Sequence, residues 1–302
     1  MKLHELHQVT GTLLMEGGKA TAVHGTKRAG KKDVELALVF VAKTLGVDVK
    51  VLEDNLLGSS RNTLAGTKQD SGDVDIAFPD KNRDAVISKL EAATAAPYKI
   101  GNNTFSFPVP THGDRKVQVD IMFVPSEKWA RWMYHSAADS KHKGKIRNAL
   151  LRAVVANIVK RGDDLIVNDP EGNTIVRVRK SLKNDEGIVR LFKVAKNRKN
   201  GKGRVKNMSD ATPEEVQQAL TELGVKEKFN PNRDQILDPD QAAAYMFGPG
   251  TKAEHIKSTE QVAQKILKLK NAKDIVNSAI GNEMTLKEVP QELRHLVTDD
   301  SA

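Results

Sequence analysis

Two short stretches constrain the fold of this chain more than any others: DVDIAF (73–78) and KVQVDIMFV (116–124). Each alternates apolar residues with something else, the period of a β-strand that packs one face and not the other. Val74, Ile76 and Phe78 share one parity, and Val117, Val119, Ile121 and Phe123 do the same. Asp73 and Asp75 therefore fall on the opposite face of the first strand, and Asp120 on the opposite face of the second. If the two strands are neighbours, three aspartates converge on one exposed face. Like charges that close destabilise a sheet unless something positive sits among them. A hard divalent cation meets that need, and Mg²⁺ takes carboxylate oxygens, retained water and substrate phosphates.

Gly58-Ser59 precedes Asp73 by 13 intervening residues. A glycine lets backbone approach a phosphate, and the adjacent amide and hydroxyl donate to it. Arg61 and Lys68 can neutralise triphosphate charge from the polar loop that follows. Two metal ions held by paired carboxylates suit in-line phosphoryl transfer. A lone Asp-x-Asp or a lone Gly-Ser is common. Their combination with a matching aspartate on a later strand is far more restrictive.

Composition narrows the classes. With no cysteine, disulfides, iron–sulfur clusters and thiolate zinc sites are excluded. No apolar run approaches 18 residues and the N-terminus lacks the order of a secretory signal, so the expectation is a cytoplasmic chain with no membrane partner. The formal charge of +9 is uneven: residues 131–206 hold 20 Lys and Arg against 7 Asp and Glu. Such a segment is either a polyanion site, most often for nucleic acid, or a solvated self-repelling surface.

The first 30 residues are rich in Gly, Lys and Thr and read as a flexible arm. KDVELALVFVAKTLGV reads as a helix with a broad apolar surface (Val34, Leu36, Leu38, Val39, Val41, Ala42) stopped at Gly46. NRDAVISKLEAAT is a second helix, NTFSFPV a short strand, and 128–162 one or two helices. DDLIVNDPEGNTIVRVRK reads as a hairpin turning at Asp169-Pro170-Glu171-Gly172. SDATPEEVQQALTELG is a well-capped helix, and helical segments follow from about Phe229. The whole is α+β: a mixed or antiparallel sheet with helices at 31–130, a basic helical and hairpin extension at 131–228, and a helical C-terminal region at 229–302.

Trp129, Trp132 and Tyr134 lie among Lys128, Arg131, Lys141, Lys143, Lys145 and Arg147. Basic residues interleaved with aromatics suit a nucleic-acid surface. At helical spacing, Trp129 and Trp132 read instead as core. The run 193–206 is basic and broken by Gly and Asn, either a phosphate-contacting loop or a solvated one. His4 and His7 lack a third ligand nearby for a transition metal.

Gly58-Ser59, Ser71-Gly72-Asp73-Val74-Asp75 and Asp120 together resemble the nucleotidyltransferase superfamily typified by DNA polymerase β, and most closely its family X polymerases. VQVDIMFVPSEKWARWMYHS is similar in layout to that family's third-aspartate strand, following proline and aromatic segment, and the likeness spans about 32–224. It implies a polymerase-β-like palm and two Mg²⁺ ions, with Mn²⁺ as a possible substitute, held by catalytic Asp73, Asp75 and Asp120. It further implies an NTP or dNTP bound by Gly58, Ser59, Arg61, Ser71, Gly72 and Tyr134. A nucleic-acid 3′-hydroxyl, DNA before RNA, would be the acceptor, with Lys141, Lys143, Lys145 and Arg147 on the nucleic acid and Arg147 presented to the template. The chain departs from the family in extra residues, TLAGTKQ, before Ser71, and in its first 30 residues, where the family's gap-binding helical domain is not recognisable. Two other classes remain open: transfer to a small-molecule or protein acceptor, and a non-catalytic nucleic-acid-binding protein.

Overall fold

The computed structural model describes residues 25–94, 99–100, 103–135, 140, 142, 144–158, 165–168, 174–195, 208–225 and 235–297. It divides into two units, Met1–Arg131 and Trp132–Ala302.

In the first unit the short strands β1 (Thr26–Lys27) and β2 (Ala29–Gly30) lead into helix α1 (Lys31–Leu45). Helices α2 (Val49–Asp54) and α3 (Gly58–Leu64) follow, then β3 (Asp70–Ser71), β4 (Val74–Pro79), α4 (Arg83–Ala93), β5 (Lys99–Ile100), β6 (Thr104–Pro110), β7 (Lys116–Val124) and α5 (Glu127–Met133), whose last two residues belong to the second unit. Strand β7 is the spine of a five-stranded mixed sheet. Along one side it pairs in parallel first with β1 and then with β4, and along the other it pairs antiparallel with β6.

The alternation in β4 and β7 produces the core directly. Val74, Ile76, Val117, Val119 and Ile121 are fully buried, and with Phe105 and Phe107 of β6 they pack against Val34, Ala37, Leu38 and Val41 of α1. Each such side chain contributes roughly 1.5–3 kcal/mol by leaving water. Helix α1 starts where the Asp33 carboxylate accepts the Gly30 N–H at 3.1 Å and stops at Gly46, whose φ of 73° suits only glycine well. Val39, expected on the apolar surface, is 51% exposed.

Two expectations need correction here. The arm does not extend to residue 30: β1 joins the sheet edge, β2 pairs antiparallel with β3, and Ala29 is fully buried. Residues 1–24 lie outside the described residues. Gly58-Ser59 is not a turn into a polar loop but the start of α3, because Ser60 and Thr63 bury against the sheet and Leu57 is held to β4.

In the second unit, α6 (Gly144–Asn157) is buried on most of its surface, through Ile146, Ala149, Leu150, Ala153 and Val154 among others. It packs on β9 of an antiparallel four-stranded sheet: β8 (Leu165–Asn168), β9 (Thr174–Lys183), β10 (Gly187–Ala195) and β11 (Met208–Asp210), in the order β11-β10-β9-β8. The expected hairpin is β8 against β9; its turn lies outside the described residues. Helix α7 (Pro213–Glu222) has the expected cap, with Thr212 and Glu215 bonding reciprocally and Pro213 in the first turn. Its Val216 and Leu220 cover Ile175, Val176 and Val178. Helices α8 (Pro239–Phe247), α9 (Thr259–Ile266) and α10 (Ala272–Asn282) complete the unit, with α9 and α10 against α6. The C-terminal helices thus share a body with the basic segment. No helix among the described residues is long and apolar enough to cross a membrane.

Candidate metal centre

The parallel pairing of β4 with β7 sets Asp75 directly opposite Asp120, with Val74 opposite Val119 and Ile76 opposite Ile121. Asp73 stands one residue before β4 on the same parity as Asp75. One carboxylate oxygen from each of the three lies within 4.8 Å of the others. The face is not the open surface that alternation implied: Asp73 is 5% and Asp120 9% exposed, and Gln118 and Ser106 beside them are buried.

Backbone bonds fix the approach of Gly58. Residues 55–57 run antiparallel to β4, with Ala77 N–H donating to Asn55 O and Leu57 N–H donating to Asp75 O, both at 2.9 Å. Gly58, at φ 53°, then turns beside Asp75, where a Cβ would lie 3.5 Å from Asp75 Oδ2. Any larger side chain would intrude on that carboxylate. The Ser60 hydroxyl accepts the Asp75 N–H at 3.0 Å and donates to Leu57 O at 3.1 Å, so α3 and β4 are tied at the residue that matters. Ser71 Oγ donates to Asp73 O at 2.6 Å and holds the bend through Gly72.

The electrostatics are those of an uncompensated cluster. Burial, then the neighbouring Asp120 charge, pushes Asp73 up to about 6. Burial and the charges of Asp73 and Asp120 push Asp75 well above the carboxylate range. Burial raises Asp120 as well, against hydrogen bonds from Ser106 and Gln118 that favour its ionised form. Gln118 Nε2 reaches both Asp120 oxygens at 3.0 Å. No Lys or Arg among the described residues forms an ion pair with any of the three. Arg28 draws Asp73 down somewhat, but its guanidinium is bonded to Asp70 at 2.9 Å.

Three anionic oxygen donors with no imidazole or thiolate among them fit a hard cation such as Mg²⁺. Burial adds to the fit, because a cation would offset both the burial and the neighbouring charges that raise these carboxyls.

The other expected residues are distributed as follows. Gly58 lies beside Asp75, Ser71 and Gly72 lead directly into Asp73, and Ser59 follows Gly58 at the start of α3, while Arg61 is exposed on α3, three residues past Gly58. Tyr134, Lys145 and Arg147 belong to the second unit, and Lys141 and Lys143 lie outside the described residues, as does 196–207. Lys145 bonds Glu288 at 2.6 Å and holds that carboxyl down to about 2. Trp129 and Trp132 are buried as expected.

Arg147 requires a correction: it is not presented to a template but is 1% exposed. Its Nε donates to Ile256 O at 2.8 Å and its Nη1 to Met133 O and Asn148 Oδ1, while the guanidinium lies 4.6 Å from the Trp132 ring centroid. It sits on the inward stripe of an amphipathic helix, flanked by Ile146 and Leu150, a pattern that a focus on charge obscured.

Ser60, Gln118, Ser106 and Arg28 were not singled out from sequence. Gln118 shares parity with Asp120 two residues on, which was a legible signal. The others act through pairings between distant segments and left none.

No protein-family model matches the chain, and none of the curated proteins matches it.

Proposed function

We propose that the chain is a metal-dependent nucleotidyltransferase that moves a nucleotidyl group from an NTP or dNTP to a nucleic-acid 3′-hydroxyl, in the manner of a family X DNA polymerase. One observation carries the reading: the register that sets Asp75 against Asp120 and brings Asp73 to both. Buried carboxylates this close, each with its pKa raised, cost the fold stability when ionised, and a divalent cation would offset that cost.

Asp73 and Asp75 would hold two Mg²⁺ ions, and Asp120 would complete the site nearer the acceptor hydroxyl. When bound, such ions lower the pKa of the attacking hydroxyl and stabilise the leaving pyrophosphate. The chain's own part is positioning. Ser60 locks the backbone of Asp75, Gln118 orients Asp120, and the bare Cα of Gly58 keeps space for phosphate beside Asp75. The amide and hydroxyl of Ser59 and the guanidinium of Arg61 supply donors for the triphosphate. The bond formed is O3′–Pα and the bond broken is Pα–O to pyrophosphate. The hydroxyl proton would pass to a carboxylate of the site, in this reading Asp120.

The test is transfer from labelled nucleoside triphosphates, with Mg²⁺ or Mn²⁺, onto primer–template DNA, single-stranded DNA and RNA. Asp73→Ala and Asp120→Ala proteins run alongside. Extension that both substitutions abolish is the expected result. Metal-dependent label transfer to a small molecule or protein alone would sink the nucleic-acid acceptor, and tight DNA binding with no transfer to anything would leave a binding protein.

A further inference from the structure

A buried amide at the head of an apolar run needs a reason. Asn55 ends α2, is 5% exposed and is followed by Leu56 and Leu57, both buried. Its Nδ2 donates to Glu127 Oε1 at 2.9 Å, and its Oδ1 accepts from Arg131 Nη1 at 2.8 Å. The same Nη1 reaches Asp54 O at 3.4 Å. Glu127 and Arg131 stand four residues apart on α5, the spacing at which a glutamate and a following arginine ordinarily pair with each other. Here each bonds Asn55 instead.

The backbone of the same residue is tied to β4. Asn55 O accepts the Ala77 N–H, Leu56 bridges Ile76, and Leu57 N–H donates to Asp75 O. Strand β4 therefore has β7 along one edge and residues 55–57 along the other. Helix α5 follows β7 after Pro125, and Ser126 Oγ accepts the Trp129 N–H at 3.2 Å at its start. These links close a ring within the first unit: the chain joins β7 to α5, side chains join α5 to Asn55, and backbone bonds join Asn55 to β4 and β4 to β7. Asp120 and Asp75 lie on that ring, and Gly58 leaves it three residues past Asn55. A leucine at this position would bury equally well. What the amide adds is direction, because its two bonds fix where residues 55–57 stand relative to both strands.

We propose that Asn55, clamped by Glu127 and Arg131, is a positioning residue that aligns the Gly58 turn with Asp75 and Asp120 for binding a nucleoside triphosphate. This rests on the nucleotidyltransferase reading above and names what holds its phosphate cradle in register with its carboxylates. Asn55 acts through Gly58 and Ser59.

A dATP analogue with an imido bridge between Pα and Pβ binds without transferring, so calorimetric titration of the full chain with it in Mg²⁺ reads the cradle alone. Asn55→Leu and Asn55→Asp should each weaken binding by about tenfold. Asn55→Asp/Glu127→Gln reverses donor and acceptor at the net charge of the wild type, and should recover affinity to within about threefold. Mn²⁺ titrated alone should bind all the variants within about twofold of wild type, since the β4–β7 register holds the carboxylates, and melting temperatures should fall by no more than about 5 °C. Equal analogue binding by wild type and Asn55→Leu overturns the proposal, as does a double variant no better than Asn55→Asp. A loss of Mn²⁺ binding and melting temperature in step with analogue binding also overturns it, making Asn55 a residue of the fold alone. A wild type that binds Mn²⁺ but no analogue removes the nucleotidyltransferase reading together with this inference. Binding of the analogue that depends on Asn55, without transfer to any nucleic acid, supports the positioning role and removes only the acceptor.

Discussion

The two units each bury charge, and they treat it in opposite ways. In the first, Asp73, Asp75 and Asp120 are packed together with no ion-paired cation among the described residues, and all three are pushed towards the protonated form. In the second, Arg147 is more deeply buried still, yet carbonyls of Met133 and Ile256, the Asn148 side chain and the Trp132 ring face it. Burial pulls its pKa down to about 9, which leaves it charged at neutral pH. A buried charge supplied with opposite partial charges is part of the framework. One surrounded by its own sign, with no cation paired to it among the described residues, is an arrangement that a bound cation would complete. That difference separates a site from a staple, although both look alike as isolated polar letters in an apolar run.

The comparison breaks most visibly if removing an aspartate costs stability rather than chemistry. Asp75→Asn or Asp120→Asn should cut nucleotide transfer by at least about 10³-fold, on the order of 4 kcal/mol of barrier, with melting temperature unchanged or raised. Single-turnover transfer beside thermal denaturation separates the two effects. A variant that melts early and retains proportionate activity would make the carboxylates structural.

Arg147→Met should do the reverse. The substitution fills much of the volume but leaves Ile256 O and Asn148 Oδ1 without their donor, while Met133 O keeps the Asn148 amide, at a cost of roughly 3 kcal/mol. In a chain of this size that lowers the melting temperature by several degrees. Transfer per folded molecule, measured well below the transition, should stay within about twofold of wild type. A selective loss of template-dependent extension at full stability would return Arg147 to the nucleic acid.

How far these roles were legible in the sequence follows from the range of the signals. Strand alternation is local, so the parity of Asp73, Asp75 and Asp120 could be read before any pairing was known, and the β4–β7 register then brought them together. The caps of α1 and α7 were equally local. Burial of Arg147 depends on Ile256, more than a hundred residues away, and no periodicity announces that. The short pairings of residues 26–30 depend on β3 and β7 in the same way, which is why a Gly- and Lys-rich stretch read as a loose arm. Gly58-Ser59 became a helix start because Leu57 is held by Asp75 O, again a contact between separate segments.

A smaller effect tests the electrostatic half of the comparison without any catalysis. Asp73 has a folded pKa of about 6 against an ordinary 3.8. The folded state therefore keeps this proton to higher pH than the unfolded chain does. The resulting stabilisation is fully present below about pH 4 and is lost as pH rises through 6. Metal-free protein in chelator should melt progressively lower from pH 4.5 to 7.5. Asp73→Asn should flatten that dependence and raise stability at pH 7.5 by roughly 1–3 kcal/mol, and millimolar Mg²⁺ should raise the wild type but not this variant. A melting temperature that is flat over the range, or Mg²⁺ stabilisation that survives the substitution, would mean that the cluster is already neutralised from within.

The smallest effect asks how much of the site is orientation rather than charge. Gln118 carries no charge, yet its amide reaches both oxygens of Asp120 at 3.0 Å from a buried position on the same strand. Those two bonds favour the ionised carboxylate and fix the direction in which its lone pairs point. Gln118→Leu keeps the volume and removes both donors. Mn²⁺ binding followed by calorimetry should weaken about tenfold, close to 1.4 kcal/mol, and the pH at which binding is half-developed should move upward, because Asp120 then loses its proton later. Gln118→Glu should be worse than Gln118→Leu, since it adds a fourth anion where a donor stood. If both variants bind Mn²⁺ as the wild type does, Asp120 takes no part in holding the ion, and the site reduces to Asp73 and Asp75 on one strand.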